Sequence, residues 1–169
     1  MAENLNFQSG NSWCYKNDEN NCQKYGRLYD WNTAMIACPQ GWHLPGYTEW
    51  NVLAMATGYK KHEGYWLRSG VGKKFKSKSG WYKTDWYKTG NGTDEFGFSA
   101  LPGGYFKYPD SNFGGHGISG YWWSAIIKEH DAGNASHWWM YSGKGSMSLG
   151  IVSKNNGYSV RCIQYVEYP

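Results

Sequence analysis

Most of the usual signatures of chemistry are missing from this sequence. No apolar run approaches the ~20 residues a membrane helix needs, so no membrane span is expected. There is no Gly-x-Ser-x-Gly elbow and no phosphate-cradling glycine loop, which removes the hydrolase and nucleotide-binding readings those motifs carry. No Cys-x-x-Cys pair occurs and no His is spaced to complete a ligand set, so a zinc site is not expected. Charge is sparse too. The 17 Lys and Arg against 13 Asp and Glu leave +4, spread too widely to track a nucleic-acid backbone. The one cluster is Lys73, Lys74, Lys76 and Lys78. Phe75 and Ser77 interrupt it, and it reads as a solvated hairpin rather than a phosphate patch.

Aromatic rings and glycine are what the chain has in quantity. With 11 Trp and 15 Tyr, a core can be built from few, large side chains. The 23 Gly argue against long helices and for short strands and turns. The opening MAENLNFQSG resembles an expression leader with an altered protease-cleavage site, Asn6 replacing the usual Tyr. Residues 1–10 are therefore expected outside the fold, and 11–169 as a single domain. Cys14, Cys22, Cys38 and Cys162 suit a secreted domain stapled by disulfides. Three pairings are possible. The favoured one closes a short polar loop with Cys14–Cys22 and ties the helical region to the last strand with Cys38–Cys162.

Residues 25–31 alternate aromatic and polar side chains and read as a first strand or its lead-in. Asn32 or Thr33 can cap a short helix through Ala37, stopped by Pro39. Thr48 can cap a second helix whose apolar face includes Trp50, Leu53 and Ala54 and which ends at Gly58. From Tyr59 to Thr93 a long loop region with short hairpins is expected, pinned by Trp66, Trp81 and Trp86. From Phe96 onward five short strands follow, separated by Gly, Asn and Asp turns. The expectation is an α+β domain with two short helices on a small twisted antiparallel sheet under long loops.

Several words occur in a fixed order: YGRLYDWNTAMIACPQGWHLPGYTEWNVL, GTDEFGFSALPGG, GYWWSA and GYSVRCIQ. Together they closely resemble the Fibrobacter succinogenes major paralogous domain, from about Trp13 to Gln164. GWHLP…EW is also similar to a word of the formylglycine-generating-enzyme branch of C-type lectin-like domains. The resemblance implies a C-type lectin-like fold and secretion or surface display in bacteria, often as a module of a larger protein. Relatives in that fold include adhesins, oxidases and variable receptors diversified by retroelements, so function rests on the site.

An enzyme is not expected. The oxidases of the wider fold use reactive cysteines, whereas all four here have plausible structural partners. His43, His62, His116, His130 and His137 are scattered. His43 is expected to bond backbone in its turn, and Asp94 and Glu95 are adjacent and so cannot converge. Calcium-dependent sugar capture lacks its Glu-Pro-Asn and Trp-Asn-Asp words. The acidic loop Asn17–Asn20 reads as solvated rather than as a calcium site. No cofactor and no metal are expected.

A metal-free binding surface remains, for a protein or glycan on another surface. Of each Trp pair on a strand, one ring should point inward and one outward. Trp122 and Trp123 read as scaffold, so Trp138 and Trp139 carry more interest. The run Tyr141–Ser153 is the second candidate. Its apolar stretch Leu149 to Val152 is either a buried strand extension or a contact site. The candidate set is Trp138, Trp139, Tyr141, Lys144, Ser146, Ser148, Leu149, Ile151, Val152 and Ser153, with Tyr105–Phe113 alongside. Met140 and Met147 are read as core. Residues 148–153 are all types that adenine mutagenesis of Asn-type codons can yield, which fits a retroelement-diversified receptor. The alternatives are a calcium-independent carbohydrate-binding module using exposed Trp, and an oxidase related to the formylglycine-generating enzymes.

Overall fold

The computed structural model describes residues 1–59, 67–83, 90–125 and 132–165. Within them the chain is mixed α+β, with four short α-helices and a curled sheet. The helices are α1 (Glu19–Tyr25), α2 (Trp31–Ala34), α3 (Tyr47–Met55) and α4 (Val71–Phe75). The strands are β1 (Ser12–Trp13), β2 (Leu28–Tyr29), β3 (Trp42–His43), β4 (Leu67–Arg68), β5 (Gly103–Lys107) and β6 (Asn112–His116). They continue with β7 (Ser119–Trp123), β8 (Asn134–Tyr141), β9 (Met147–Ser153), β10 (Tyr158–Ser159) and β11 (Ile163–Gln164). The main sheet runs β1-β2-β10-β7-β8-β9-β4, the hairpin β5-β6 joins it at β7, and β11 pairs separately with β3. It is not purely antiparallel, because β7 meets both β10 and β5 in parallel.

Local chemistry sets the helix starts, and not always where sequence placed them. Asp18 caps α1, which sequence did not anticipate, by accepting Asn20 N–H at 3.0 Å. Its carboxylate is therefore a helix cap. For α2 the cap is Asp30, taking Thr33 N–H at 2.7 Å, rather than Asn32 or Thr33. α3 starts after Gly46 instead of Thr48, because the Glu49 carboxylate reaches back to Gly46 N–H at 2.8 Å. α4 falls inside the expected loop region, and Trp66 and Trp86 lie outside the described residues. Trp81 is buried, its indole N–H donating to Ala100 O at 2.9 Å.

The lysine cluster is not a solvated hairpin. Lys73 and Lys74 belong to α4, while Lys76 is buried and donates to the carbonyls of Tyr141, Ser142 and Lys144 at 2.9–3.2 Å. Burial pushes its ammonium down to about 8.

Of the opening residues, expected outside the fold, Asn4 and Leu5 are buried in it, while most of the others are exposed. Leu5 exchanges backbone bonds with Val160 and Arg27, and the buried Asn4 side chain accepts from Trp122 Nε1 at 2.9 Å. Both favoured disulfides are present, Cys14–Cys22 and Cys38–Cys162.

Two cores flank the sheet. One gathers Trp31, Leu44, Trp123, Ala135, Tyr158 and Val160 on one face, and the other holds Trp50, Phe75, Trp122, Trp138, Met140 and Met147 on the opposite face. For Trp122 and Trp123 this corrects the expectation of one inward and one outward ring, and agrees with reading both as scaffold. Trp122 and Trp123 do point to opposite faces, yet both are fully buried because both faces are covered.

Candidate functional site

Strand alternation divides the expected contact residues between these two faces. β7 and β8 are antiparallel, with Tyr121 opposite Trp139, Ser119 opposite Tyr141 and Trp123 opposite His137. These six side chains share the face of the first core. β9 adds Ser148, Gly150 and Val152 to that face, opposite Trp139, His137 and Ala135. Trp138 lies on the other face with Leu149 and Met147.

The structure accordingly corrects part of the set. Trp138 is fully buried, stacked toward Tyr47 and tilted against Trp50 at centroid distances of 6.1 and 6.2 Å, so it is core. Leu149 packs on the second core and Val152 on the first. Ser148 is buried. The segment expected as a solvent-held loop is largely the strand β9, and of its apolar run only Ile151 is exposed, at 42%. Ile151 faces Ser136 rather than the aromatic face. Ser153 closes the ladder opposite Asn134. Lys144 and Ser146 lie in the β8–β9 turn, which Lys76 pins from beneath through three carbonyls. Met140 and Met147 are core, as expected.

Trp139 and Tyr141 are half-buried and remain as candidates, joined by two rings that sequence did not single out as a pair. Tyr105 and Tyr121 meet edge to face at 5.5 Å, and Tyr121 stacks toward Trp139 at 6.5 Å and on Tyr158 at 4.8 Å. The result is a continuous row Tyr105–Tyr121–Trp139, backed by buried Tyr158 and His137. Gly150 lets the His137 ring lie against the strand. A Cβ there would sit 2.6 Å from the ring. Burial holds His137 down to about 4, so it is neutral at physiological pH. Burial likewise raises the Tyr121 phenol above its ordinary value. The row is thus an uncharged surface of ring faces and hydroxyls. Period-two alternation in GYWW and HWWMY held the signal for it, since Tyr121, His137, Trp139 and Tyr141 fall on one side of two neighbouring strands.

The other sequence-level candidates resolve into scaffold. His43 does not bond backbone. Its Nε2 meets Glu49 Oε1 at 2.6 Å, and its ring stacks on Tyr165 at 4.3 Å. Asp94 holds the DEFGFS turn by accepting from Ser99 N–H at 2.7 Å and Ser99 O–H at 2.5 Å. Cys14, Glu19 and Cys22 approach one another closely, but the two sulfurs are joined in a disulfide and offer no thiolate. All four cysteines are paired. His62 and His130 lie outside the described residues. Among the described residues no helix is long and apolar enough to cross a membrane.

The family model described as Fibrobacter succinogenes major domain matches residues 1–164 of the chain. No curated protein and no solved structure matches it.

Proposed function

We propose that this chain, which belongs to the Fibrobacter succinogenes major domain family, is a non-catalytic ligand-binding domain that meets a protein or glycan through the face carrying Tyr105, Tyr121, Trp139 and Tyr141. The observation that carries this reading is the row of half-buried rings on the face of a hydrogen-bonded sheet. Rings held rigidly by a scaffold give contact area at low entropic cost. Both sugar faces and protein side chains stack on such rows, and neither requires calcium. The two disulfides support export, to the cell surface or beyond it. The short helices packed on a curled sheet support a C-type lectin-like fold. With all four cysteines paired, the oxidase alternative has no free thiol to use.

Retroelement-driven variation, as part of this reading, would act on positions 148–153. Of these Ser148, Gly150 and Val152 share the aromatic face. A template copy of the gene segment differing only at adenines is the observation it requires. The binding reading is tested on a glycan array and a surface-protein array, each run with and without chelator. Chelator-insensitive binding that Trp139→Ala and Tyr121→Ala abolish is expected. Binding that survives both substitutions places the site elsewhere, and binding lost on chelation returns it to a metal-dependent class.

A further inference from the structure

A cavity lies between α3 and the chain leading into β11. It has a volume of about 170 Å³, is partly open to solvent, and is lined mainly by Pro45, Trp50, Leu53, Phe98, Arg161 and Ile163. We propose that this cavity is a binding site for a small carboxylate with a ring-sized apolar body. The proposal is independent of the aromatic face.

Volume and lining set the apolar part. An engineered apolar cavity of about 150 Å³ takes up benzene, so this space accommodates one six-membered ring. Proline, leucine, isoleucine and two aromatic rings line it, which favours such a body over water.

Arg161 sets the polar part. Arg161 is 4% exposed, and among the described residues no carboxylate stands within ion-pair distance of it. Its Nε and Nη2 donate to Asn4 Oδ1 at 3.2 and 3.0 Å, and Nη1 donates to the carbonyls of Ala2 and Phe98 at 3.1 and 2.6 Å. A guanidinium has five N–H groups, so these four bonds leave one on Nη2. Glu3 and Asp94 act on it only from farther away, and burial dominates, drawing it down to about 10. A buried cation answered only by neutral acceptors retains much of its desolvation cost, which a carboxylate oxygen would offset. Glu49, also in the cavity lining, is already committed, one oxygen to His43 and the other to Gly46 N–H, so it does not offer a free anion to Arg161.

The probes are benzoate, its neutral analogue benzamide, and toluene, titrated into the whole chain by calorimetry and by Trp fluorescence. Benzoate is expected to bind saturably and about tenfold more tightly than benzamide or toluene. Leu53→Phe, which fills the cavity from a half-buried position, is expected to abolish binding with the circular dichroism spectrum unchanged. No saturable benzoate binding at concentrations on the order of 10 mM overturns the proposal. Equal affinity for benzoate and benzamide removes the carboxylate from it. Benzoate binding that Leu53→Phe leaves intact places the ligand elsewhere and overturns it too.

Discussion

Tyr121 and Trp139 stand directly opposite each other in the β7–β8 ladder, their rings 6.5 Å apart and within 25° of parallel. One residue along β8, Trp138 faces the other way into a closed core. Adjacent tryptophans on one strand therefore do different work. Replacing Trp138 by Ala removes a fully buried ring and should cost about 3–5 kcal/mol of stability. Trp139→Ala should cost about 1 kcal/mol and act on ligand binding instead. Urea unfolding of both variants reads the contrast. Equal losses would mean that Trp139 is also a core residue.

The two disulfides differ sharply in the chain they close. Cys38–Cys162 spans a separation of 124 residues, against 8 for Cys14–Cys22. Loop-closure entropy grows with the logarithm of that length. Removing the long link as a Cys→Ala pair should cost roughly 2 kcal/mol more than removing the short one. Thermal and denaturant unfolding of the two double variants checks the order, and a larger loss at Cys14–Cys22 would contradict it.

Much of the scaffold was legible because its signals are local. Four cysteines with one short and one long spacing gave the disulfide pairing, and Trp50 at helical spacing gave a core residue. The helix starts were misplaced by two or three residues because the acting groups were carboxylates. Asp30 caps from one position before α2, and Glu49 reaches back from inside α3. The candidate site was only half legible. Period-two alternation separates Trp138 from Trp139, but sequence does not say whether the outward face of a strand meets water or a second core. Here both faces are covered, so Trp122, Trp123 and Leu149 turned inward together with Trp138. The buried role of Lys76 depended on the carbonyls of Tyr141 to Lys144, more than sixty residues away, which no local pattern encodes.

Gly150 sits in the middle of β9 beneath the His137 ring. A Cβ there would lie 2.6 Å from His137 Cε1 and 2.8 Å from Nε2, closer than any packed side chain tolerates. Gly150→Ala must therefore move the ring, at about 1–3 kcal/mol. The double variant with His137→Ala should recover part of that loss, since the obstructing ring is gone. Additive losses in the double-mutant cycle would refute the contact.

His137 also ties stability to pH. Its folded-state value is held down to about 4 by burial, against 6.5 for the exposed ring of the unfolded chain. Above pH 6.5 both states hold it neutral and it contributes no pH dependence. As pH falls from 6.5 toward 4, the unfolded chain takes up a proton that the folded one refuses, and stability drops. Below about 4 both states are protonated and the loss levels off. The full span is about 3 kcal/mol, from 2.303RT per unit of difference. His116 is lowered as well, again chiefly by burial, and contributes in the same direction. The His137 share is isolated by comparing denaturant unfolding at pH 7.5 and pH 4.5 for the wild-type chain and for His137→Phe, which keeps a ring of similar reach without a titrating nitrogen. The phenylalanine variant should lose markedly less stability between the two pH values. An identical loss in both proteins would show that His137 titrates alike in the folded and unfolded chains, and would remove the neutral imidazole from beneath the aromatic row.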